Sequence, residues 1–403
     1  MKVEIKPSIA CGIVSAPPSK SVTHRALICG ALSDKSIIKG IAFSNDIKAT
    51  LNCLEKMGAT VNYLSDNSVE IGGLQPENIS EVILNSFESG STLRFLIPLA
   101  LFCGNKVSFT GSQRLFERPL SIYEDICKKQ NIEFIKNGNV LYVNGKLKAD
   151  KFNIDGSISS QFISGLMFAL PLLENESIIS LSKDSESLSY LDITVDCLRE
   201  FGVYIENIDK YTYLIKGNQK YSSKIFEIEG DYSNSAFLDA FNCFKGKLTV
   251  SGLNPLSAQG DKVYKELFEK ICKGTPVISL KDCPDLAPVL FMLSAAKNGA
   301  EFVDTSRLKI KESDRVESMR AELEKFGAKL ICKENSVTVI PTRLHTPTDE
   351  LCGHNDHRIV MALSILCSVY GGIIDGAQAV SKSYPDFFEV IETLGIMVKK
   401  YDN

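Results

Sequence analysis

The chain has 403 residues, more than one core of ordinary size organises, so two domains are expected. Its residues are 44% hydrophobic and 23% charged, an ordinary globular composition, and a net charge of −4 excludes the broad basic excess of a general nucleic-acid or membrane-surface binder. No stretch approaches the roughly twenty apolar residues of a membrane span. The start, Met1-Lys2-Val3-Glu4-Ile5-Lys6, alternates charged and apolar residues instead of forming a signal peptide, so a cytoplasmic protein is expected. Its 12 cysteines are scattered through apolar runs without a C-x-x-C pair, as reduced thiols in a reducing compartment would be. Cys352, His354 and His357 form the one cluster with metal-ligand character, and no metal is expected there.

In chain order, the first chemically distinctive element is Pro17-Pro18-Ser19-Lys20-Ser21-Val22-Thr23-His24-Arg25, which opens an apolar helix running to residue 32. Ser19 is a natural N-cap, and Lys20, Ser21 and Arg25 add donors to free N–H groups that already favour an anion. Arg25 follows Ser21 by four residues, one helical turn. The same chemistry recurs in Glu88-Ser89-Gly90-Ser91-Thr92-Leu93-Arg94, Glu117-Arg118-Pro119, Ser159-Ser160-Gln161, Lys311-Glu312-Ser313-Asp314-Arg315, Asp356-His357-Arg358 and Lys382. Small residues let backbone approach a ligand and each cation adds charge, a combination suited to phosphate and carboxylate. The basic residues are therefore concentrated in a few short segments. Each also has a plain structural reading: Asp285 can cap a helix over 287–296, Glu312 and Arg315 can be a surface ion pair, Ser159-Ser160 can be a turn, and His357 can orient a neighbour.

One unit repeats along the chain: an amphipathic helix, a glycine-containing break, a strand, a polar turn and a second strand. Clear copies have helices at 51–57, 123–130, 195–201 and 319–326, each followed by two strand-like runs. Fainter copies are helix 263–272 before strand 276–280, and helix 387–394 before strand 396–400, whose missing partner strand residues 2–5 can supply. The break between halves falls near Glu229-Gly230-Asp231, ahead of a helix over 235–244.

Together these motifs resemble the enolpyruvyl transferase family over essentially the whole chain, a resemblance carried also by Asn355-Asp356-His357-Arg358 and Lys382-Ser383-Tyr384-Pro385-Asp386. It implies an α/β (α+β) fold in two domains, an inside-out, barrel-like architecture in which each domain holds three βαβαββ units around parallel helices. The expected domains are 15–229, and 1–14 with 230–403, with the active site in the cleft between them. The implied reaction transfers the enolpyruvyl (carboxyvinyl) group of phosphoenolpyruvate to the 5-hydroxyl of shikimate 3-phosphate. Phosphate leaves by addition and elimination through a tetrahedral intermediate, with no metal or organic cofactor, on the route to chorismate and aromatic amino acids. Glyphosate would occupy the phosphoenolpyruvate site. By the family's pattern Ser21, Arg25, Ser159, Ser160, Gln161, Ser187, Asp285 and Lys311 hold shikimate 3-phosphate, while Lys20, Gly90, Arg118, Gln161, Arg315, Arg358 and Lys382 meet phosphoenolpyruvate. Asp285, Lys20 and Glu312 form the expected catalytic set, since addition and elimination need a base at the hydroxyl and an acid at the methylene carbon. A monomer without nucleic-acid or membrane partners is expected.

Glu88 and Arg307 depart from the family's pattern, each standing where relatives carry asparagine. Two alternatives remain. The sister transferase acting on UDP-N-acetylglucosamine uses a loop cysteine, and residues 113–118 contain none; a non-catalytic phosphometabolite-binding protein would not need Asp285, Lys20 and Glu312. No G-x-x-x-x-G-K-[ST] run suggests a nucleotide enzyme.

Overall fold

A helix that is apolar on every side has to lie inside a protein, and several segments of this chain are of that kind. The computed structural model describes residues 1–156, 159–182 and 187–401. They fall into two compact units, Pro18–Glu229 and Met1–Pro17 with Gly230–Asn403. The first contains α1 (Lys20–Leu32), α2 (Asn45–Lys56), α3 (Gly90–Cys103), α4 (Gln113–Glu117), α5 (Ser121–Lys129), α6 (Ser160–Ala169) and α7 (Ser189–Glu200). The second contains α8 (Tyr232–Ala240), α9 (Tyr264–Lys273), α10 (Ala287–Ala296), α11 (Arg315–Glu324), α12 (His357–Tyr370) and α13 (Phe387–Thr393). Helices α1, α3 and α6 are buried along nearly their whole length in one unit, as are α8, α10 and α12 in the other. Amphipathic helices such as α2, α7 and α9 bury one face only.

Around these helices lie small open sheets, five of four strands and one of two among the described residues, and none closes into a barrel. Val82–Asn85 pairs in parallel with Val107–Thr110, which runs antiparallel to Val140–Asn144, and that strand is hairpinned to Glu133–Asn137. Sheets built on Ser36–Lys39, Ser177–Leu181 and Ala300–Val303 repeat the pattern. In a fifth sheet the N-terminal strand Lys2–Lys6 lies between Gly372–Asp375 and Met397–Tyr401, antiparallel to both, with Val3 and Ile5 buried. Cys11–Ser15 and Lys247–Ser251 form a parallel pair without a hairpin.

Several expectations need correction, the helices expected at 51 and 195 beginning at Asn45 and Ser189 among them. Residues 276–280 do not complete a unit with the helix before them: Val277–Ser279 pairs in parallel with Ala300–Val303 and so opens the next sheet. The helix expected at 235 begins at Tyr232, because Asp231 accepts a hydrogen bond from the Asn234 N–H at 2.8 Å. The helix expected at 319 begins at Arg315, because the Asp314 carboxylate accepts from the Val316 and Glu317 N–H groups. In both cases a side-chain cap rather than apolar periodicity sets the start. Among the described residues no helix is long and apolar enough to cross a membrane.

Helix α6 packs closely on α3 at Gly165. A β-carbon there would lie 2.4 Å from the Arg94 carbonyl oxygen and 2.3 Å from the Tyr123 hydroxyl, which itself donates to the Arg94 and Phe162 carbonyls. Gly165→Ala is expected to destabilise the fold by roughly 1–3 kcal/mol through overpacking, read as a lower denaturant midpoint at unchanged m-value.

Candidate active site

Helix starts carry many of the candidate side chains. In Pro18–Glu229, Ser19 caps α1, Ser89 caps α3 and Ser159 caps α6, each accepting a backbone N–H of the first turn. Lys20, Gly90 and Ser160 are the first residues of those helices. A chain of buried groups ties three elements together: His24 Nδ1 to Thr50 Oγ1 at 2.8 Å, Thr50 to Thr92 at 2.7 Å, and the Thr92 hydroxyl donating to Ser89 Oγ at 2.7 Å. Burial, with Lys20 and Arg25 nearby, holds the His24 imidazole well below its usual pKa, so it is neutral and adds no charge.

Arg25 is 2% exposed and donates to Thr194 Oγ1, the Ser21 carbonyl, Ser164 Oγ and the Tyr190 carbonyl. All four partners are neutral, and among the described residues no carboxylate pairs with it. Burial lowers its pKa to about 10, which leaves it cationic at neutral pH. A buried cation held only by dipoles is poised for an anion. Ser187, buried with φ of 58°, accepts the Tyr190 N–H on its carbonyl, so it sits one turn from the Arg25 contact. Gln161 donates to Ser91 Oγ and accepts from Arg94 Nη1, each at 3.0 Å, joining the starts of α3 and α6. Arg94 also donates to the Pro119 carbonyl. A β-carbon on Gly90 would lie 2.7 Å from Arg118 Nη1 and 2.8 Å from Arg94 Nη1, so two guanidinium groups cover this glycine. Lys20 pairs with Asp46 at 3.0 Å, both half-buried.

The second unit assembles a cluster of ions. Arg315, 1% exposed, donates through Nε to Asp356 at 2.9 Å, through Nη1 to Asp285 at 2.8 Å and through Nη2 to Glu312 at 2.8 Å. Asp285 gives its other oxygen to Arg358 Nη2 at 2.8 Å, and Lys311 stands 3.9 Å from it. Burial alone would push the Asp285 carboxyl up, but Arg358, Lys311 and Arg315 together hold it well below the usual carboxylate range. Asp285 therefore does not cap α10, which begins without a side-chain cap. Lys311 is pushed down to about 8 by burial, then by Arg307 and Arg315, against the pull of Asp285. Asp356 caps α12 through the Arg358 N–H, and Lys382 donates to the Asn355 carbonyl at 2.5 Å.

The structure thus brings together Asp285, Lys311, Glu312, Arg315 and Arg358 in one unit, with Lys382 beside the start of α12. In the other it gathers Lys20, Ser21 and Arg25 along α1, and Gly90, Arg118, Ser159, Ser160 and Gln161 around the starts of α3 and α6. Sequence patterns do not mark Asp46, Arg94, Thr194, Ser233 or Asp356 as site residues: Arg94 and Asp356 stand inside motifs, while Asp46, Thr194 and Ser233 carry no local signal. In the cluster Cys352, His354 and His357, His354 Nε2 pairs with Glu322 at 2.8 Å.

Residues 6–391 match the family EPSP synthase (3-phosphoshikimate 1-carboxyvinyltransferase). The chain is 40% identical to the 3-phosphoshikimate 1-carboxyvinyltransferase of Clostridium kluyveri, over 98% of this chain and 97% of that one, and equally to its namesake from Clostridium acetobutylicum. The solved structure of EPSP synthase from Acinetobacter baumannii has a TM-score of 0.80 with it at 18% identity, covering 100% of both chains, which shows a common fold. Fold and sequence together define a carboxyvinyl transferase. The chain belongs to the EPSP synthase family, whose enzymes move the enolpyruvyl group of phosphoenolpyruvate to shikimate 3-phosphate in aromatic amino acid biosynthesis. Membership sets aside the UDP-N-acetylglucosamine transferase and the non-catalytic binding protein.

Removing Arg315 would leave three carboxylates without their shared cation. Arg315→Ala is expected to cost about 3–5 kcal/mol of stability, the range for breaking a buried ion pair from one side. The depressed Asp285 pKa stabilises the fold above the unfolded value of 3.8 and the benefit is lost as pH falls through the lower folded value. Acid unfolding curves of wild type and variant should accordingly converge at low pH and separate above about pH 4.

Proposed function

We propose a division of labour between the two residue sets in this reaction. Arg25, Ser21, Ser159, Ser160, Gln161 and Ser187 receive shikimate 3-phosphate from one unit, and Lys311 and Asp285 from the other. Lys20, Gly90, Arg118 and Gln161, with Arg315, Arg358 and Lys382, receive phosphoenolpyruvate. The observation that carries this reading is Arg25, a buried cation whose partners are all neutral. Asp285, kept ionised by its cations, orients the 5-hydroxyl and takes its proton as the oxygen attacks the phosphate-bearing carbon of phosphoenolpyruvate, and that proton leaves with the phosphate. Lys20 and Glu312 exchange the proton at the methylene carbon, delivered during addition and withdrawn as phosphate leaves. Fixed cations stabilise the charge that develops on the departing phosphate. The enzyme works in the cytoplasm as a monomer, a reading supported by its scattered thiols and modest net charge.

Release of inorganic phosphate from phosphoenolpyruvate, required to depend on shikimate 3-phosphate, tests the reaction directly. Lys20→Met should leave a folded protein with turnover reduced by about a hundredfold or more. Near-normal turnover would remove Lys20 from the chemistry.

Lys311 supplies a pH signature. It is cationic below about 8 in the free enzyme and neutral above, so kcat/KM for shikimate 3-phosphate should fall as pH rises through that value. Lys311→Arg keeps the charge at all accessible pH values and should lose this alkaline limb, whatever its effect on the plateau.

Glyphosate is expected to compete with phosphoenolpyruvate. The methyl of Gly90→Ala meets the guanidinium groups of Arg118 and Arg94, which would have to shift, so both anions should weaken. The inhibitor, longer than the substrate, should lose more, by about tenfold against a few-fold rise in the substrate KM. Inhibition constants for the two proteins measure the difference, and equal losses would misplace Gly90.

A further inference from the structure

Asp261 lies in a short turn, Gly260–Val263, outside every motif discussed above, and is 5% exposed. Its Oδ1 has no hydrogen-bond partner, an expensive arrangement for a carboxyl group serving only to fill space. Its carboxyl interacts with the Ser233 hydroxyl on α8 and lies close enough to Arg358, Asp285 and Asp231 to feel their charges. Ser233 Oγ in turn accepts a hydrogen bond from Arg358 Nη1 at 2.5 Å. Arginine can only donate, so Ser233 must accept from it, and the single serine proton is left to turn toward Asp261. The donor order is thus Arg358 to Ser233 to Asp261. The Arg358 guanidinium is thus held at Nη2 by the Asp285 carboxylate and at Nη1 by Ser233 and the Asp285 carbonyl.

We propose that Asp261, acting through Ser233, is a positioning residue for Arg358 and sets how tightly the enzyme holds the carboxylate of phosphoenolpyruvate. The inference rests on the reading of Arg358 as a phosphoenolpyruvate ligand. The ionisable groups facing Asp261 are Asp231 at the start of α8, Asp285 and Cys283 in the turn before α10, and Arg358 on α12. Burial, then Asp285, raise its carboxyl to about 7 against the pull of Arg358. Neutral Asp261 holds Ser233 without competing for Arg358. Once ionised, it adds negative charge beside a guanidinium that has to receive a substrate anion.

The experiment measures KM for both substrates at pH 6 and pH 8 in wild type, Asp261→Asn, Asp261→Ala and Arg358→Lys, with a thermal midpoint for each. Asp261→Ala removes the partner of Ser233 and should raise the phosphoenolpyruvate KM about tenfold at pH 6, leaving that of shikimate 3-phosphate within about twofold. Asp261→Asn keeps the shape and a hydrogen-bonding group but cannot ionise. It should match wild type at pH 6 and bind phosphoenolpyruvate several-fold better than wild type at pH 8. Superimposable pH profiles for wild type and Asp261→Asn, or an equal rise for both substrates, would overturn the proposal. If Asp261→Ala does not fold, the two Asp261→Asn profiles decide alone. An unchanged phosphoenolpyruvate KM in Arg358→Lys would instead defeat the assignment of Arg358. A raised one, with no effect at Asp261, defeats only the role of Asp261.

Discussion

A charge enters a protein interior only where hydrogen bonds and opposite charge replace the water it gives up, and Arg315 is where this chain meets that condition most fully. Its three nitrogens reach three carboxylates contributed by the turn before α10, the loop before α11 and the cap of α12. Asp356 serves twice, accepting Arg315 Nε and Ser313 Oγ on one oxygen and the Arg358 N–H on the other. The starts of α11 and α12 are therefore held to each other by the same ions that orient Asp285. Because Asp285 is shared by Arg315 and Arg358, its carboxylate has one available direction, and Lys311 is drawn to the same edge. Positioning and electrostatics here are one arrangement.

The other unit solves a different problem with different chemistry. Its buried polar groups are mostly neutral: a hydroxyl chain from His24 through Thr50 and Thr92 to Ser89, and a glutamine bridging α3 and α6. Arg25 is embedded among hydroxyl and carbonyl oxygens that satisfy its donors without cancelling its charge. An arrangement of this type keeps a field available for a phosphorylated ligand, whereas the acid-rich cluster around Arg315 suits proton movement. The division matches a reaction in which two multiply charged anions have to be held together while one proton is added and another removed.

Glycine and the small residues near the helix starts make these arrangements possible by close approach. Gly165 lets α6 lie against the Arg94 carbonyl, and the bare Gly90 leaves room for two guanidinium groups above the first turn of α3. A methyl group would press on the Arg94 carbonyl and the Tyr123 hydroxyl at Gly165, and on the two guanidinium groups at Gly90. The tolerance of the site is thus set by helix spacing inside the unit.

What the sequence by itself determined was local: Ser19, Ser89 and Ser159 as caps, Lys20, Gly90 and Ser160 as the residues they present, and the hairpins that end the four clear units. All of these depend on neighbours within a few residues, so a single chain is enough to read them. Tertiary structure decided the rest, because it depends on contacts that no local pattern encodes. Val277–Ser279 finds its partner in Ala300–Val303 rather than in the unit before it, and Lys2–Lys6 pairs with strands from the far end of the chain. Asp46 reaches Lys20 across 26 residues, and Ser233 reaches Arg358 across 125. Side chains such as these look ordinary in sequence. Their roles come from burial and from the charges that folding brings to within a few ångströms, where loss of water makes each pairing matter.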